Sequence, residues 1–128
     1  MNINIEFFNN QTINAVSAGI YEISITRNGT TESLYIGESK TVLMRCAAHL
    51  YELSKDPNYF GFDKESINDS SITLVFRLLE SVEDTAARKA KEKAYIKAKN
   101  PISQSGYSDR QKNISEKINA VIDFISQT

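Results

Sequence analysis

The stretch that decides the fold is Gly19-Ile20-Tyr21-Glu22-Ile23-Ser24-Ile25-Thr26-Arg27-Asn28-Gly29-Thr30-Thr31-Glu32-Ser33-Leu34-Tyr35-Ile36-Gly37. Residues 19–26 alternate, with Tyr21, Ile23 and Ile25 on one face and Glu22 and Ser24 on the other, the pattern of a strand. Asn28-Gly29 is a strong hairpin signal, because both residues tolerate the positive φ of a tight turn. Residues 31–37 return as the partner strand. Loop length decides which face the two tyrosines share. A two-residue turn at Asn28-Gly29 pairs 27 with 30 and 21 with 36, putting Tyr21 and Tyr35 on opposite faces, since a one-residue slip flips every side chain. A three-residue loop at 27–29 pairs 26 with 30 and 21 with 35, and puts both phenols on one face. Hydroxyls that act together need the second arrangement, and the three-residue loop is the reading adopted.

Working outward, residues 3–8 alternate and then turn apolar, as a short strand or an N-terminal arm. Asn9 to Thr12 read as a turn. A first helix spans about 40–53, with Ser39 as N-cap and Leu43, Cys46, Ala47, Leu50 and Leu53 as its apolar stripe. Arg45 and His49, four residues apart, stack on one flank off that stripe. Residues 54–70 are loop-like. Ile72 to Leu79 is β-branched and apolar, the central strand. A second helix spans about 82–99 and stops before Pro101. Ala86, Ala87, Ala90, Ala94 and Ala98 cover one broad side of it, with Glu92 roughly opposite and Arg88 and Ile96 one turn away; either side could meet the sheet. A third helix spans 109–126, its stripe Ile114, Ile118, Val121, Ile122 and Ile125. It closes the core or makes a homodimer. The fold expected is one α/β domain of the α+β type. A three-stranded, mainly antiparallel sheet is flanked by helices, with a core at about 19–104 and the extra C-terminal helix.

Composition narrows the function classes. The 128 residues suit one domain, and 41% of them are hydrophobic. The longest apolar runs are far shorter than the roughly 20 residues of a membrane span, and the start lacks the basic and apolar regions of a secretory signal. A single cysteine, Cys46, excludes an internal disulfide and agrees with a cytoplasmic setting. It falls on an apolar helix face, the place of a small core residue. One cysteine and one histidine exclude a structural zinc site within the chain. The net charge of −1 gives no global pull toward nucleic acid, although Arg88, Lys89, Lys91, Lys93, Lys97 and Lys99 crowd one short segment. Such a run is otherwise a solvated helix face.

Taken in order, the residues resemble the GIY-YIG nuclease domain. Gly19-Ile20-Tyr21 and Tyr35-Ile36-Gly37 are similar to its two namesake tags. Lys40 falls where the family often has a basic residue. Arg45 and His49 resemble the arginine and histidine of the homing and restriction branches. Glu92 through Lys97, with Pro101 after it, resembles the glutamate-bearing helix. Glu38 stands where many members carry lysine, and Gln104 where many carry a late asparagine.

The resemblance implies a DNA endonuclease that hydrolyses phosphodiester bonds with Mg²⁺ or Mn²⁺. Its catalytic residues would be Tyr21, Tyr35, Arg45, His49 and Glu92, with Glu92 holding the metal. A hard ion of this kind takes carboxylate, water and phosphate ligands. One tyrosine would activate the water; an unperturbed phenol has a pKa of about 10, which a nearby cation lowers. Arg45 offers planar donors to a phosphate, and His49 can carry a proton. Lys40, Arg88, Lys97 and Gln104 are the candidate nucleic-acid contacts. The alternative is a catalytically weak or inactive module of the same fold that binds nucleic acid or protein.

Overall fold

The computed structural model describes residues 1–104 and 112–128. Four strands form one mixed sheet: β1 (Asn4–Phe7), β2 (Gly19–Arg27), β3 (Thr30–Ser39) and β4 (Ile72–Ser81), in the order β1-β4-β2-β3. The expected sheet was one strand short. Residues 4–7 pair parallel to β4, so the N-terminal segment belongs to the sheet. The turn read at 9–12 is a 3-10 turn at Asn9–Gln11, and a short helix that was not expected, α1 (Thr12–Ala15), continues from it.

The hairpin corrects the expected loop and keeps its consequence. Arg27 pairs with Thr30, so the turn has two residues, with Asn28 at φ 51° and Gly29 at φ 81°, both left-handed as a type I′ turn requires. That register alone would separate the tyrosines. A bulge then intervenes: Ser24 pairs with Ser33 but Ile23 pairs with Tyr35, so Leu34 is the extra residue. Beyond it Tyr21 pairs with Gly37, and Tyr21 and Tyr35 share a face.

Helix α2 (Val42–Lys55) and α4 (Ile114–Ser126) join the main core on the tyrosine face; α3 (Thr85–Lys99) covers the other. The buried residues of α2 are Val42, Cys46, His49 and Leu53. The stripe is therefore rotated from the expected one: Ala47 is exposed and His49 is inside. A polar ring can take that place because both its nitrogens find partners. Thr41 precedes α2 without a side-chain cap, and Ser39 Oγ instead accepts the Thr41 N–H at 3.0 Å.

On α3 the buried residues are Arg88, Glu92 and Ile96. Ile96 packs with Ile20 and Ile36, and Ala86, Ala90, Ala94 and Ala98 face solvent. Asp84 caps α3 by accepting the Ala87 N–H at 2.8 Å. The start of the third expected helix, 109–111, lies outside the described residues. From Ile114 on, α4 is closed by an Asn113–Glu116 capping box and buries Val121 and Phe124 in its own chain's core. No helix among the described residues is long and apolar enough to cross a membrane.

Candidate active site

Strand β3 is an edge strand, and its two ends differ. At the bulge end, residues 102–104 run beside it: Ile102 N–H donates to Ser33 O and Ser103 N–H to Leu34 O, each at 2.9 Å. The Gln104 side chain completes this cover. Its Oε1 accepts the Ile36 N–H at 2.7 Å and its Nε2 donates to Ile36 O at 2.5 Å. Gln104 is buried, and both ends of its amide are taken up by main chain. It is a strand-edge clasp and not a displayed contact for nucleic acid. Edge protection of this kind also blocks pairing with another chain.

The site candidates gather past the clasp, around Gly37 and Glu38. Tyr21 Oη lies over Gly37, so closely that a Cβ there would collide with it; this is a local reason for glycine in the second tag. Tyr21 Oη is 2.7 Å from His49 Nε2. His49 Nδ1 is in turn 2.9 Å from Tyr59 Oη. Tyr35 packs its ring edge-on against His49, centroids 5.0 Å apart, and 6.2 Å from the Tyr21 ring. Both tyrosines and His49 are about 1% exposed. Burial, with a smaller push from the Arg45 charge, lowers the His49 pKa to about 3, so the imidazole is neutral at ordinary pH. Arg45 is exposed on α2, and its charge also acts on Tyr59 and Cys46. Burial raises the Cys46 thiol pKa, which makes it the inert core residue expected.

Because side chains alternate along a strand, Glu38 points to the other face, under α3. Arg88 Nε donates to Glu38 Oε2 at 2.6 Å and Lys89 Nζ to Oε1 at 3.0 Å. Arg88 further donates to the carbonyls of Val82 and Glu83. It is 2% exposed, so the expected surface contact is in fact a buried strut binding α3 to β3. The same pairing answers Glu38. Burial works against its carboxylate, but hydrogen bonds from Arg88 and Lys89 outweigh this and lower its pKa. Lys40 and Lys97 are exposed as expected.

Glu92 lies one turn along α3 from Arg88 and is 6% exposed. Its pKa is raised, first by burial and then by the Glu38 charge; Lys89, the Glu38 main-chain N–H and Lys93 pull the other way. Tyr21 and Glu92 thus stand on the two faces of β3 at one place, the first over Gly37 and the second beside the Glu38 amide. Among the described residues no cluster of His, Cys, Asp and Glu forms a multidentate metal cage. Glu92 is the carboxylate that the resemblance would have hold a metal. No described residue forms an ion pair with it, and its charge is disfavoured as it stands, so a divalent cation would relieve it.

Tyr59 was not singled out in the sequence. It sits in the 3-10 turn Pro57–Tyr59, inside a stretch that reads only as loop, and no spacing ties it to His49. No family model matches the chain, and neither a curated protein nor a solved structure matches it significantly.

Proposed function

We propose that this chain is a divalent-metal-dependent DNA endonuclease of the GIY-YIG type. The observation that carries the reading is the convergence at Gly37–Glu38. A phenol hydrogen-bonded to a neutral imidazole occupies one face of the edge strand, and a buried carboxylate without a cation partner among the described residues occupies the other. Phosphodiester hydrolysis needs a proton acceptor for water and charge stabilisation on the phosphate, and these are the two halves on offer.

Tyr21, by its contact with His49, is better placed than Tyr35 to pass a proton onward; the Tyr35 ring positions the imidazole. Arg45 supplies a permanent charge on the same helix as His49, suited to a non-bridging phosphate oxygen. Glu92 would hold Mg²⁺ or Mn²⁺, which, when bound, stabilises charge on the phosphate and the leaving oxygen. Lys40 and Lys97 would contact the DNA backbone without reading sequence. A cytoplasmic setting, suited to the reduced Cys46, goes with this reading. Exposed Ile114 and Ile122 are what a homodimer through α4 would use.

Incubation with supercoiled plasmid and Mg²⁺ tests it. Wild type should nick and Glu92→Ala should not; equal absence of nicking across several DNA forms would sink the enzyme reading. The burial of both tyrosines and the neutralisation of Glu38 favour a second reading, a binding module on the same fold. In that case binding to DNA or protein survives Glu92→Ala and neither protein cleaves.

A further inference from the structure

Tyr59 is held with more care than a loop residue needs. Asp56 accepts the Asn58 N–H at 3.0 Å, and Pro57 opens the turn with a fixed φ. The Tyr59 ring meets Phe60 edge-on, centroids 4.8 Å apart. From α4, Lys117 Nζ donates to the Tyr59 carbonyl at 2.7 Å and lies 5.5 Å over the ring. The hydroxyl is thereby aimed at His49 Nδ1. Tyr59 is half-buried, whereas His49 and Tyr21 are sealed. Tyr59 is therefore the most exposed member of the line Tyr59–His49–Tyr21 that ends at the candidate base.

A neutral imidazole has one N–H and one lone pair, so the partner at one nitrogen decides what the other can do. We propose that Tyr59 accepts the His49 Nδ1 proton, which leaves Nε2 to accept from Tyr21, and that Tyr59 is the solvent-side end of a proton relay. The proposal rests on the nuclease reading. As water attacks phosphorus, its proton passes to Tyr21 Oη, the Tyr21 proton to His49 Nε2, the Nδ1 proton to Tyr59 Oη, and the former Tyr59 hydroxyl proton to solvent. Hydroxide forms its bond to phosphorus as the bond from phosphorus to the 3′ oxygen breaks, the leaving oxygen takes a proton from solvent water, and no member of the relay is left charged.

The relay has a physical motive. Burial disfavours imidazolium, with a pKa of about 3, so a proton arriving at Nε2 must leave at Nδ1 in the same event. Burial also raises the Tyr59 pKa, keeping the phenol protonated at rest. Among the described residues, the groups around the relay are Tyr21 and Tyr35 from the sheet, Arg45 and Glu52 from α2, and Lys117 from α4. Tyr59 acts through His49 and is a positioning residue.

His49 is the only histidine, so its imidazole ¹⁵N signals are unambiguous. Wild type should show one neutral tautomer, protonated at Nδ1, from about pH 5 to about pH 9. Tyr59→Phe keeps the ring and should shift the proton toward Nε2. Nicking at saturating DNA should fall by about 100-fold or more, with DNA affinity unchanged and a displaced pH–rate profile. Protonation at Nε2 in wild type overturns the proposal, as does a Tyr59→Phe protein with an unchanged tautomer and rate. If that variant fails to fold, the wild-type spectrum decides. A wild-type protein that cuts no DNA overturns the nuclease reading, while the spectrum still decides the tautomer.

Discussion

The two faces of the sheet near Gly37 are built from opposite chemistry. On the α2 face, Tyr21, Tyr35, His49 and Tyr59 form a neutral hydrogen-bonded cluster set into the apolar core. On the α3 face, Glu22, Glu38, Arg88, Lys89 and Lys99 form ion pairs around a much smaller apolar cluster. The separation has a reason. A neutral proton carrier keeps its pKa displaced and its tautomer fixed only in dry surroundings. Fixed charges need partners, and Glu92, which has no ion-pair partner among the described residues, has its pKa raised by burial and by the Glu38 charge.

The largest expected effect breaks the charged face. Arg88→Ala leaves Glu38 with Lys89 alone and should destabilise the fold by about 3 kcal/mol, at the low end for a buried pair because Glu38 is partly exposed. Urea denaturation measures it. If Arg88 served phosphate instead, stability would hold and only the salt dependence of DNA binding would change.

The next effect comes from the neutral face. The folded pKa of His49 is depressed to about 3 from 6.5, so its contribution is fully present above the unfolded value and is lost as pH falls toward the folded one. Between about pH 6.5 and 4.5, before most carboxylates titrate, wild type should lose about 2 kcal/mol that His49→Phe does not lose. Parallel stability curves for the two proteins over that window would contradict a buried neutral imidazole.

A finer test compares the two tyrosines. Tyr21→Phe leaves a buried imidazole nitrogen unpartnered and should cost about 1–2 kcal/mol. No hydrogen bond to the Tyr35 hydroxyl is formed by a described residue, so Tyr35→Phe should cost about 0.5 kcal/mol or less; thermal melts of the pair would show the order. The smallest effect is electrostatic. Lys97→Ala should reduce the salt slope of DNA binding by about one. Lys91→Ala should leave it unchanged, since Lys91 is paired to Glu80 on β4, away from the β3 edge.

The hairpin, β4 and the helices were legible because each carries its own period and punctuation: Asn28-Gly29, the run from Ile72, and the stop before Pro101. The bulge at Leu34 was not, since one extra residue in an apolar run leaves no mark on the sequence. The shared face of Tyr21 and Tyr35 was therefore reached through the wrong loop. The parallel strand β1 pairs across more than sixty residues of chain, beyond any local pattern. Within the site, the resemblance to the GIY-YIG domain, not residue type alone, pointed to Tyr21, His49 and Glu92. Residue types and spacing misjudged Arg88, Gln104 and the flank of His49, because buried polar groups are decided by distant partners: Glu38, the Ile36 main chain and Tyr59.

The central claim is that Tyr21 and Glu92, from opposite faces of β3, act on one phosphate in one step. The direct measurement is the Mg²⁺-dependent nicking rate of supercoiled plasmid by wild type, Tyr21→Phe, Glu92→Gln and the double variant. Residues that act as a unit are non-additive. Each single variant should therefore fall about 100-fold or more, and the double variant should fall no further. Independent, multiplying losses, or single variants that nick at the wild-type rate, would contradict the claim.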